Sequence, residues 1–192
     1  MSNVTVTDRF KGARIIALLS IIAGVVLIVA GGITWGTVTS QLKDEKITVA
    51  AVTADAPGSL AGKAVQDPFT AFAQADAIKH HALTATNGLT YAELGDAINA
   101  KKAELKAAGK SDADIAKDTD VLALNGQRTT SMNGSFLRSS LFTSVVAYGI
   151  SALVMGLGIL FILVGYAIRV LAAKPETVVA PVVAPAAATA QV

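Results

Sequence analysis

Two adjacent histidines, His80 and His81, with Asp76 one turn earlier, are the residues of this chain whose types come nearest to a catalytic or metal-binding set. Zinc and mononuclear iron take imidazole and carboxylate ligands, and they need three or four of them converging on one point. Helical neighbours point about 100° apart, because a turn takes about 3.6 residues. His80 and His81 therefore do not readily share an ion. The expected state is a solvated helix face with His80 paired to Asp76. No G-x-S-x-G, Walker A, G-x-G-x-x-G or H-E-x-x-H pattern occurs. The absence of Cys removes disulfides, thiolate metal sites and a Cys nucleophile. The expectation is no catalytic residue, no metal site and no cofactor.

The elements that would carry these residues follow from the distribution of charge. Hydrophobic residues make up 53% of the 192 and charged residues only 16%. The apolar excess sits in two blocks. Ile15–Leu42 is a run of 28 residues without a charge, and Ser139–Ile168 is a run of 30. About 20 apolar residues in a helix cross a bilayer core, and a helix pairs its own backbone groups where no water is present. Trp35 closes the first apolar core, while Tyr148 and Tyr166 bracket the second; such rings favour the headgroup level. The first run is too long for the apolar part of a signal peptide, and no A-x-A follows it promptly, so an uncleaved anchor is expected.

The expected fold is all-α, with two transmembrane helices flanking a small helical extracytoplasmic domain. Residues 1–14 form an N-terminal tail, 15–38 the first span, 39–138 the outer domain, 139–169 the second span and 170–192 a disordered tail. Orientation follows the positive-inside rule. The tails carry Arg9, Lys11, Arg14, Arg169 and Lys174 against Asp8 and Glu176. Both termini are expected in the cytoplasm, with the protein multi-pass in a bacterial cytoplasmic membrane. A net charge of +2 provides no strong field for nucleic acid.

Within the middle segment, Ile47–Val52 reads as a short extended piece and Pro57-Gly58 as a turn. Asp67-Pro68 opens a helix to about Leu83, with Phe69, Phe72 and Ile78 near one face. Asn87-Gly88 breaks it. Thr90-Tyr91-Ala92-Glu93 is a capping box, and Tyr91, Leu94, Ile98 and Leu105 then form an amphipathic face, read as an interaction surface. Gly109 ends that helix. Ser111 with Asp114 starts a third helix carrying Ile115 and Leu122, interrupted at Asn125-Gly126 and Asn133-Gly134.

The spans contain spaced small residues. Ala17, Gly24 and Gly31 recur every seven positions with Ser20 on the same stripe, and Gly32-x-x-x-Gly36 follows. Ser144, Ser151, Gly158 and Gly165 also keep a seven-residue spacing. Small residues let helix backbones approach closely in lipid, so these positions are expected to pack helices. The contact is either between the two spans of one chain or with another copy or membrane protein. Neither apolar core holds an ionisable group, which argues against a pump or carrier.

The stretches Trp35-Gly-Thr-Val-Thr-Ser-Gln-Leu42, Asp67-Pro-Phe-Thr-Ala-Phe-Ala-Gln-Ala-Asp-Ala-Ile-Lys-His80, Thr90-Tyr-Ala-Glu93 and Ser135-Phe-Leu-Arg-Ser-Ser-Leu-Phe-Thr-Ser-Val-Val-Ala-Tyr148 resemble a group of small actinobacterial two-span membrane proteins of unknown function. Its members often carry the label aromatic ring-opening dioxygenase. That label implies a His/carboxylate iron site, for which this chain supplies two adjacent His and no facial triad, so no catalytic residue carries across. The expected function is a non-enzymatic accessory or scaffold component of the envelope, binding lipid or another envelope protein. The alternative is a homo-oligomeric two-span channel.

Overall fold

A computed structural model describes residues 6–173, with side chains from Lys11 onward. The tail expected to be disordered lies outside these residues except for positions 170–173, which are helical. Among the described residues the fold is all-α: α1 (Val6–Asp44), α2 (Pro68–Ala85), α3 (Tyr91–Ala107), α4 (Asp112–Ile115) and α5 (Thr119–Ala173). Helices α1 and α5 are both long and apolar enough to cross a membrane. The chain divides into two compact units, residues 1–26 with 158–192, and residues 27–157.

In the first unit α1 and α5 meet across small residues. Ala17 is fully buried. A Cβ added at Gly165 would lie 2.7 Å from the Ala17 carbonyl oxygen, and one added at Gly24 would lie 2.5 Å from the Gly158 carbonyl oxygen. The obstacles are backbone atoms, so only glycine fits without moving a helix. The Ser20 hydroxyl donates to the Phe161 carbonyl at 2.8 Å. The bulky residues point the other way: Ile15, Leu19, Leu160 and Leu163 are all more than half exposed.

The second unit continues the same packing. A Cβ on Gly31 would lie 2.9 Å from the Ser151 carbonyl oxygen and 2.6 Å from the Met155 side chain, and Ser151 is buried. Gly32 and Gly36, expected to pack, are exposed and meet nothing within 4 Å. They lie off the stripe that carries Ala17, Gly24 and Gly31. Ser144 is half-buried and donates back to the Ser140 carbonyl.

The connection from α1 to α2 runs through an extended segment. Val49 N–H donates to Lys63 O, Gly62 N–H to Val49 O and Val65 N–H to Ile47 O, all within 2.9 Å. Thr48 and Ala64 form an isolated antiparallel bridge. Helix α2 begins where Asp67 and Pro68 predict. The Asp67 carboxylate accepts from Phe69 and Thr70 N–H, and the Thr70 hydroxyl accepts from Asp67 N–H. Its buried face differs from expectation. Thr70, Ala71, Gln74, Ala75 and Ala77 are buried, whereas Phe69 is 76% and Phe72 55% exposed. Close packing selects the small face, as in the long helices. Ile78 alone of the expected apolar set packs against the core of Val49, Val65, Ala71, Leu141 and Tyr148.

Asn87 and Gly88 end α2 with positive φ, and the capping box of α3 forms as read, with Glu93 accepting from Thr90 N–H at 2.8 Å. That hydrogen bond holds the Glu93 carboxyl below the usual carboxylate range. The third helix is shorter than expected. It stops at Ile115, and Asp118 then caps α5 by accepting from Asp120 and Val121 N–H. Neither Asn-Gly pair interrupts α5. Asn125 donates its side-chain amide to the Val121 carbonyl one turn back, which satisfies it within the helix. Gly134 lies against α2, where an added Cβ would sit 2.9 Å from the Ala82 Cβ.

The seam generates a test with internal controls. Gly24→Leu and Gly165→Leu force backbones apart and should destabilise the purified protein in detergent by about 1–3 kcal/mol or more, the usual cost of overpacking. Gly32→Leu and Gly36→Leu should leave the thermal transition in place. Equal effects at all four positions would show that the packing is not specific to this stripe.

Candidate functional site

The parts of α1 and α5 that lie in the second unit are joined by one buried side chain. Tyr148 is 1% exposed. Its hydroxyl donates to the Gln66 carbonyl at 3.0 Å and accepts from the Thr39 hydroxyl at 2.7 Å. Its ring packs edge-on to Trp35, with centroids 4.6 Å apart. One phenol thus ties α1, α5 and the residue preceding the α2 cap. The sequence places Tyr148 at a membrane boundary, facing headgroups; the structure buries it among protein atoms. Nothing in the local sequence distinguishes the two, because the partners are 109 and 82 residues away.

Around this lock, further side chains hold the 47–66 segment and α2. The Gln74 side-chain oxygen accepts from Ala50 N–H at 2.7 Å. His81 Nε2 donates to the Ala51 carbonyl at 2.9 Å. Arg138 Nε donates to the Ala75 carbonyl at 3.2 Å and its guanidinium lies 5.7 Å from the Phe142 ring centroid. Phe142 in turn meets Phe72 edge-on at 5.7 Å.

These contacts relocate the expected site residues. His81 is a backbone clamp, and His80 makes no hydrogen bond to Asp76. The two rings are 6.0 Å apart and inclined by 66°. Among the described residues no group of three or more His, Asp or Glu is arranged to hold a metal ion. The face of α3 is consumed inside the chain: Leu94, Ile98 and Leu105 are 0%, 4% and 7% exposed, and Leu105 packs on Ile115 and Val121. Only Tyr91 remains accessible, with the Arg128 guanidinium 4.0 Å over its ring. The expected interaction surface is therefore core. Amphipathic spacing identified the buried side, and an internal partner covers it.

Lys101 reaches from α3 to Asp120 at 3.1 Å and to Glu104 at 3.4 Å, contacts that raise its pKa, Asp120 foremost. Exposed ion pairs of this kind add little stability; their role is to set the register of α3 against the start of α5. The surface that stays apolar lies elsewhere. Phe69, Phe72, Phe136 and Leu137 are each more than half exposed, on the N-terminal part of α2 and on α5 just before its uncharged run. No family model, curated protein or solved structure matches the chain.

Tyr148→Phe keeps the ring and removes the hydroxyl, leaving the Gln66 carbonyl and Thr39 hydroxyl short of a partner. The expected cost is about 1–3 kcal/mol. Limited proteolysis should also cut the 45–66 connection faster. A Phe variant with the parent's melting temperature and cleavage rate would show that the phenol does not fasten the segment.

Proposed function

We propose that the chain is an integral membrane protein of a bacterial envelope, in which α1 and α5 cross the cytoplasmic membrane and residues 45–118 form a helical platform fixed to their outer ends. It works as an accessory or scaffold component, presenting that platform to lipid or to another envelope protein. The observation that carries this reading is the inverted packing of α1 and α5. Each apolar window is only 17% buried. Glycine, alanine and serine occupy the contact, while Ile, Leu and Val face outward. A core helix of a water-soluble domain buries its large apolar residues; an exposed apolar surface of this extent suits lipid.

Helix lengths agree. Ile15–Trp35 is 21 residues, about 30 Å of helix and the thickness of a hydrocarbon core. Beyond Trp35 the uncharged run turns polar, as Thr37, Thr39, Ser40 and Gln41, which suits the headgroup layer. Ser139, Ser140, Thr143 and Ser144 fill the equivalent stretch before Tyr148. At this level Phe72 stacks on Phe142, so the exposed aromatic residues of α2 fall where aromatic rings concentrate.

The scaffold reading is favoured over the two-span channel because the small-residue stripe is already occupied within one chain. It is favoured over ring-opening chemistry because His81 is engaged with backbone and His80 lacks converging ligands. The resemblance to small actinobacterial membrane proteins is consistent with the same reading.

Orientation is testable by labelling. Cys replacing Ala107, which is exposed on α3, should react with an impermeant maleimide in intact cells. Cys replacing Ala187 should react only after permeabilisation. The reverse pattern would invert the topology, and equal labelling of both positions in intact cells would contradict a two-span arrangement.

A further inference from the structure

Arg14 and Arg169 line one cavity of about 490 Å³ in the first unit, together with Leu18 and Ala173. They come from opposite ends of the sequence, yet each stands next to the end of an uncharged run: Arg14 precedes Ile15, and Arg169 follows Ile168. Two guanidinium groups lining one cavity repel each other. Among the described residues, no carboxylate forms an ion pair with either. Among the described residues Arg14 donates one hydrogen bond, from Nη2 to the Ala172 carbonyl at 3.3 Å, which links α1 to α5. A guanidinium carries five N–H donors in a fork, and that bond uses one of them. The lining therefore combines positive charge and planar donors with the apolar side chains of Leu18 and Ala173.

We propose that this cavity binds the phosphate of an anionic phospholipid from the cytoplasmic leaflet. The inference rests on the membrane reading above, which puts the mouth of the cavity at headgroup level. Guanidinium forks match phosphate oxygens in pairs, and basic pockets between helices on the cytoplasmic side suit such headgroups. Leu18 and the lipid-facing flank below it give the first acyl methylenes an apolar path. The chemistry recognised is a phosphate group; a soluble phosphate shares it but gains nothing from the apolar part of the lining.

The test uses the full chain purified in mild detergent, with retained lipid read by native mass spectrometry. Phosphatidylglycerol and phosphatidylcholine are offered in equal amounts, with and without millimolar inorganic phosphate. The expected result is preferential retention of phosphatidylglycerol, unaffected by inorganic phosphate. Arg14→Gln with Arg169→Gln should lower that retention roughly twenty-fivefold, about fivefold for each charge at a membrane surface. Arg169→Gln alone leaves the Arg14 bond to the Ala172 carbonyl in place and should lose about fivefold, so a folding defect at Arg14 does not obscure the answer. Equal retention of both lipids, or unchanged retention in both variants, would overturn the proposal. Full competition by inorganic phosphate would overturn the lipid as the source. Release of the chain from membranes by alkaline carbonate would overturn the membrane reading and this site with it, whereas lost selectivity in a chain that stays in the membrane removes the site alone.

Discussion

The fold depends on how closely the backbones of α1 and α5 approach. At Gly24 and Gly165 there is no room for a methyl group between one helix and a carbonyl of the other. Dispersion falls away steeply with a gap of even half an ångström, so this proximity is where the attraction between the helices resides. In lipid it is nearly all they have, since separating apolar helices exposes them to an equally apolar solvent. The serine hydroxyl of Ser20, donating to Phe161 O, adds a polar link at the same seam.

Within the second unit, one buried phenol ties α1 and α5 to the segment that leads into α2. Trp35 and Tyr148 replace glycine as the facing pair, and the phenol hydroxyl reaches beyond the two long helices to the Gln66 carbonyl. The next residue, Asp67, caps α2. From there the packing rule is again small against small, with Ala71, Ala75 and Ala77 inward and the phenylalanines outward. The same preference for small residues at close contacts leaves Phe69 and Phe72 exposed on α2.

Much of the local structure was legible in the sequence because its causes are local. The Asp67 and Thr90 caps, the Asn87-Gly88 stop and the two uncharged runs each depend on residues within a turn or two. The seven-residue stripes also located Ala17, Gly24, Gly31, Ser151, Gly158 and Gly165 at buried positions. Three features were not legible. The inward face of α2 was misread because apolar periodicity assumes that large residues seek the interior, and here close approach favours small ones. Asn125-Gly126 and Asn133-Gly134 read as breaks because their usual reason for being in a helix is absent from the sequence: an internal hydrogen bond in one case and contact with Ala82 in the other. The α3 face read as free because its covering residues, Ile115 and Val121, belong to elements whose packing only the fold reveals.

The chain has a single tryptophan, and it stands where the account puts the outer boundary of the hydrocarbon. Reconstituted into bilayers containing nitroxide-labelled lipids, Trp35 fluorescence should be quenched most by a label near the headgroup and much less by one near the chain ends. Strongest quenching by the deepest label would displace the register of α1 in the membrane. No quenching by any label, with the protein folded, would contradict the claim that these helices reside in lipid at all.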